Sequence, residues 1–124
     1  MRDNKYVILT IDDDPDFLEA ASLFLEANGY IVVEAKSAED GLKVYKETKP
    51  DLIIVDLIME EIDSGANFAK ELRLLNNKAP VYLLSATGDE MTENIDYSEL
   101  GFAGVFQKPV DNKRLLGVIK AKLK

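Results

Sequence analysis

Neither cysteine nor histidine occurs among the 124 residues. Without Cys there is no disulfide, no zinc thiolate and no thiol nucleophile, an absence that suits a reducing compartment. Without His the commonest general base is missing, and with it a Ser/His/Asp triad and any phosphohistidine relay within the chain. Positive charge is also scarce. Fifteen Lys and Arg stand against 23 Asp and Glu, a net charge of −8, which disfavours a nucleic-acid backbone or an anionic membrane as a direct partner. No apolar run has the length needed to span a bilayer, and residues 1–4 lead straight into a strand-like run. The expectation is a soluble, cytoplasmic protein whose chemistry comes from carboxylates, hydroxyls and lysines.

What is present suffices for one domain, expected over residues 1–124, because 47% hydrophobic content can fill a single core. Tyr6–Ile11 is apolar and β-branched and ends abruptly in acid, as a strand buried on both faces does. From Pro15 the period becomes helical, with Leu18, Ala21 and Leu25 on one face and Asn28 and Gly29 as the stop. Ile31–Ala35 reads as a second strand, and its Glu34 places it near a sheet edge. Ser37 and Asp40 form a capping box for a helix with Ala38, Leu42 and Tyr45 on one face, which Pro50 terminates.

The alternation continues through Leu52–Val55, the most hydrophobic strand candidate, followed by Asp56. Phe68, Leu72 and Leu75 recur at helical spacing, and Val81–Ser85 is a fourth strand. Between Gly88 and Gly101 only Met91 and Ile95 supply an apolar stripe, so that fourth helix is expected to be mobile. Gly104–Gln107 is a short fifth strand, and Asp111 caps a last helix that turns Leu115, Ile119 and Leu123 inward. Five strand and helix pairs in strict alternation predict an α/β fold, a parallel sheet with helices on both faces. In such sheets ligand chemistry lies outside the carboxyl ends of the strands.

The residues at those ends are Asp12, Asp13 and Asp14, then Asp56, Ser85 and Lys108. Singly they have bland readings: an acid triplet before Pro is a helix cap, a terminal Ser a turn residue, a lone Lys a solvated charge. Together they do not. Asp12, Asp13 and Asp56, converging in this fold, would repel and raise one another's pKa unless a hard divalent cation held them. Such a constellation suits phosphoryl transfer: Asp56 attacks phosphorus, Ser85 holds a phosphoryl oxygen, and the cation and Lys108 offset its charge.

The runs Ile11–Pro15, Val55–Met59, Leu84–Ala86 and Gln107–Pro109 resemble those of the receiver domain of bacterial-type response regulators. The resemblance covers essentially the whole chain. It implies a flavodoxin-like (CheY-like) (βα)5 three-layer sandwich with strand order 2-1-3-4-5. It implies a two-component phosphoprotein that takes a phosphoryl group on Asp56 from a histidine kinase or phosphotransfer protein and signals to an effector or output domain, a phosphoacceptor and not an enzyme. The cofactor implied is Mg²⁺ or Mn²⁺, ligated directly by Asp13, through water by Asp12, and by Asp56 and the carbonyl of Ile58. Ser85 takes the family's hydroxyl role, Lys108 contacts the phosphoryl group and precedes a cis Pro109, and Asp14 is a capping acid.

Departures from the family pattern are informative. Val105 stands where an aromatic usually precedes the lysine by three, and Phe106 faces the other side of a strand. The signal is therefore expected to travel through the loop at Ser85–Gly88 and the helix after it. Glu60 replaces the usual Pro in an acidic loop with a late Gly65, and Ile58 with Thr87 predicts a long-lived phospho-form, since Ile58 cannot orient a water. Three rival readings fit these residues less well. A haloacid dehalogenase-type phosphatase would use Asp12 as nucleophile, but Asp16 and Phe17 follow the Asp-x-Asp, only Asp111 lies beyond Lys108, and 124 residues leave little room for a substrate cap. A flavin module would need phosphate donors where three acids stand. A degenerate, phosphorylation-independent receiver would not need Asp13, Asp56, Ser85 and Lys108 intact.

Overall fold

Runs of β-branched and apolar residues become five strands in the computed structural model, which describes residues 4–56, 70–86, 102–108 and 110–123. The strands are β1 (Val7–Ile11), β2 (Ile31–Ala35), β3 (Leu52–Asp56), β4 (Val81–Ala86) and β5 (Gly104–Lys108). All pairings are parallel, in the order β2-β1-β3-β4-β5. This is the expected flavodoxin-like order. Glu34, the polar residue of β2, lies exposed on an edge strand and accepts from the Ser22 hydroxyl. At the other end of the strands Asp51 clamps β1 to β3: its backbone N–H donates to the Val7 carbonyl at 2.7 Å, and its carboxylate accepts from the Val7 N–H at 2.8 Å.

Three helices are described over their length: α1 (Pro15–Ala27), α2 (Ala38–Thr48) and α3 (Asn112–Lys122). Each begins at a side-chain cap, Asp14, Ser37 and Asp111 respectively, that accepts from backbone N–H groups of the first turn. Their stops are local too. Gly29, at φ 93°, follows the Asn28 cap of α1, and Lys49, left-handed at φ 49°, ends α2 before Pro50.

Alternation along the strands divides the core in two. Leu9, Ile11, Ile53, Val55 and Leu83 face α2 and the helical residues 70–74, whose Leu72 is buried with them. Ile8, Leu52, Ile54, Leu84 and Phe106 face α1 and α3, meeting Leu25, Leu115 and Ile119. Leu75 corrects the sequence reading. It was expected to share the helical spacing of Leu72, but the helix ends at residue 74, Asn76 turns left-handed at φ 59°, and Leu75 is 40% exposed. The expectations for Ile58, the acidic loop at 60–65, Phe68, Thr87, the helix between Gly88 and Gly101 and the Pro109 peptide lie outside the described residues.

Candidate functional site

β1 and β3 are neighbours in the sheet, so their carboxyl ends bring two acidic segments side by side. Ile11 pairs with Val55, and the acids follow directly. Asp56 is itself the last residue of β3, one place further into the strand than the sequence suggested. Carboxylate oxygens of Asp12, Asp13 and Asp56 all lie within 4.8 Å of one another.

The acid triplet divides into three local roles. Asp14 is the N-cap of α1, its Oδ1 accepting from the Asp16 N–H at 3.0 Å. Asp12 is fully buried, its backbone N–H donating to the Ala35 carbonyl at 3.1 Å and its Oδ1 accepting from the Asp14 N–H at 3.0 Å. Those two bonds fix where its carboxylate sits. Asp13, between them, is exposed. Asp56 is nearly buried, at 9% exposure. The cluster therefore has two oriented, mostly enclosed acids and one open to water. Ala35 was missed by the sequence reading, because its part as an anchor depends on the β1–β2 register.

Carboxylates gathered this closely repel one another where they are ionised. The adjacent N-terminus of α1 offsets part of this with its partial positive charge. A hard cation would offset more. Three carboxylates with one side open to solvent form an oxygen donor set of the kind Mg²⁺ takes, with few protein ligands and several waters.

Ser85 and Lys108 belong to the same edge of the sheet by backbone position. Ser85 pairs with Gln107, Lys108 pairs with Ala86 as the last residue of β5, and β4 is the neighbour of β3. Strand register thus carries both toward the carboxyl edge on which Asp56 lies.

Comparison with known proteins agrees with this geometry. A family model described as the response regulator receiver domain matches residues 8–120. The chain is 31% identical over 121 residues to Protein PilH of Pseudomonas aeruginosa, covering 94% of this chain and 96% of that protein. It is 37% identical over 112 residues to the transcriptional regulatory protein GlrR of Escherichia coli, covering 90% of this chain and 25% of GlrR. GlrR and other curated relatives of regulator type are longer, this chain spanning between 25% and 51% of their length. Among solved structures, a response regulator receiver domain protein from Clostridium thermocellum superposes with a TM-score of 0.84 at 28% identity, covering 95% of this chain and 94% of that one.

Proposed function

The chain belongs to the response regulator receiver domain family, and from that we propose that it is a single receiver unit over residues 1–124 that accepts a phosphoryl group on Asp56. The observation that carries the proposal is the convergence of Asp12, Asp13 and Asp56 within 4.8 Å at the carboxyl edge of a 2-1-3-4-5 sheet. An Asp56 carboxylate oxygen forms the new O–P bond. The bond from phosphorus to the donor breaks, and the leaving group takes its electron pair and then a proton. The donor is a phosphohistidine on a kinase or phosphotransfer protein, or a small acyl phosphate.

Asp12, Asp13 and Asp56, with the Ile58 carbonyl that the resemblance implies, would hold Mg²⁺ or Mn²⁺, and the ion when bound would supply positive charge that lets an anionic carboxylate approach an anionic phosphoryl group. Asp12, locked by its bonds to Ala35 and Asp14, orients the acid pair. Ser85 donates to a phosphoryl oxygen, and Lys108 neutralises another. The chain acts as a phosphoacceptor and not as a multiple-turnover enzyme, in the cytoplasm, with a downstream effector or output domain as its target. With Ile58 apolar, the phospho-form is long-lived.

The test is incubation with Mg²⁺ and acetyl phosphate, followed by intact mass. A gain of one phosphoryl group, acid-stable and base-labile, is expected in the parent and in Asp12→Asn and is absent in Asp56→Asn. Asp13→Asn should weaken Mg²⁺ binding by more than about tenfold, since even outer partners of a metal ligand are worth that much. Modification that survives Asp56→Asn and is lost in Asp12→Asn would overturn the assignment.

A further inference from the structure

Toward the opposite end of the sheet three lysines line one depression. There the turn leading from α2 into β3 and the turn leading into β4 border this depression of about 400 Å³, whose lining includes Tyr45, Lys46, Lys49, Leu75 and Lys78. All three lysines are exposed. Leu75 is 40% exposed and Leu74 beside it 70%, two of the three large apolar side chains exposed among the described residues. In a chain of net charge −8, cations gathered around an apolar lip are unevenly placed. Helix chemistry explains a part of this: Lys46, in the last turn of α2, complements the helix dipole. It does not explain Lys78, which lies in the turn before β4, or the two leucines left in water.

We propose that this depression is a docking groove for an acidic peptide segment of a partner protein that carries an apolar anchor residue. The segment's carboxylates face Lys46, Lys49 and Lys78, and its anchor lies against Tyr45 and Leu75. Charge and shape together select this occupant. An extended polyanion, duplex DNA or an anionic bilayer, must also meet the excess negative charge of the whole chain. A short peptide presents its charge only locally, inside a screening length of about 8 Å. Tyr45 and Leu75 in the lining call for an apolar group, which a phosphate backbone lacks, and a concave surface receives a side chain where insertion into a bilayer needs a protruding one. The groove is separated from the acid cluster by the length of a five-residue strand, about 15 Å, so docking leaves Asp56 accessible. Docking in the groove is independent of phosphorylation of Asp56.

The probe is a fluorescein-labelled peptide of Asp and Glu flanking a Leu-Phe pair, titrated with the full chain by anisotropy, with amide shifts mapped by NMR. Binding that weakens with salt is expected, with shift changes concentrated in residues 45–50 and 74–79. The triple variant Lys46→Glu, Lys49→Glu, Lys78→Glu should lose about tenfold or more in affinity, the sum of three exposed charge contacts, while Lys120→Glu with Lys122→Glu binds as the parent does. Far-ultraviolet circular dichroism confirms that each variant is folded. Should the triple variant unfold, Lys78→Ala alone and a peptide with Ser in place of Leu-Phe carry the test, and both should bind more weakly. Undiminished binding in these variants overturns the proposal, as do shift changes confined elsewhere. So does tighter binding by a short DNA duplex or by phosphatidylserine vesicles than by the peptide.

Discussion

Val105 and Phe106 are adjacent in β5 and serve opposite halves of the core. Val105 packs against the cluster of Leu9, Ile11, Val55 and Leu83 on the α2 face. Phe106 lies on the α1 and α3 face, its ring centroid 5.4 Å from that of Tyr82 and 5.8 Å from the Arg114 guanidinium. A buried Phe106 cannot cross the sheet to act from position 105. Val105→Tyr should therefore leave acetyl phosphate modification of Asp56 at the parent rate and leave phosphorylation-dependent amide shifts in β4 and β5 unchanged. A large change in those shifts would mean that position 105 takes part in the response. Phe106→Ala, by contrast, should cost about 3–5 kcal/mol in urea unfolding, the usual loss for a buried aromatic.

Tyr82 gives the fold a pH dependence of known sign. Burial pushes its phenol above the ordinary value of 10.0, and burial raises Tyr30 and Tyr45 in the same direction. Between the unfolded and folded values the unfolded chain has released the proton and the folded chain has not, so stability falls as pH rises. The contribution is fully present below pH 10.0 and is lost as pH climbs through the raised folded value. Urea melts between neutral and strongly alkaline pH should show a shallower decline in Tyr82→Phe, which keeps the ring against Phe106. An identical slope in parent and variant would sink this account.

The fold was legible because each element announces itself locally. Asp14, Ser37 and Asp111 cap their helices by side chains visible as residue types, and Leu18, Leu25, Leu115 and Ile119 lie at the buried helical positions their spacing implied. Leu75 failed because helical periodicity does not reveal where a helix stops, and the left-handed Asn76 was not recognised as the end. At the site, the acids were legible as strand-end residues, but the division of labour among Asp12, Asp13 and Asp14 was legible only for Asp14. The bond from the Asp12 N–H to the Ala35 carbonyl, 23 residues on, requires β1 and β2 to be in register, and no local pattern encodes that.

Thr10 is a polar residue in a place that does not use it. It is fully buried in β1, and its Oγ1 has no hydrogen-bond partner among the described residues. A buried hydroxyl without a partner pays its desolvation and gains nothing in return, so removing it at constant shape is favourable. Thr10→Val should raise stability by about 1 kcal/mol, which for a domain of this size is about 4 °C in melting temperature. Destabilisation on calorimetry would show that the hydroxyl is bonded, for example by a buried water.

Gly41 sets how closely α2 lies on the sheet. A Cβ at this position would stand 2.5 Å from Ile11 Cδ1 and 3.1 Å from Ile11 Cγ1, and Ile11 is fully buried, so its side chain must shift within the core to make room. Alanine would gain about 1 kcal/mol in helix propensity, but overpacking of this kind costs typically about 1–3 kcal/mol. Gly41→Ala should therefore be destabilised overall. Ile11→Val removes the Cδ1 atom at a cost of about 0.5–1.5 kcal/mol alone. Because the two changes meet at one contact, the double variant should be more stable than the sum of the singles by about 1 kcal/mol or more. Ile11 also directly precedes Asp12, so a shift of the Ile11 backbone in the variant would carry to the acid cluster. Mg²⁺ affinity should fall in Gly41→Ala and recover in the double variant, whereas strict additivity in both measurements would show that α2 shifts away as a unit and leaves the carboxylates undisturbed.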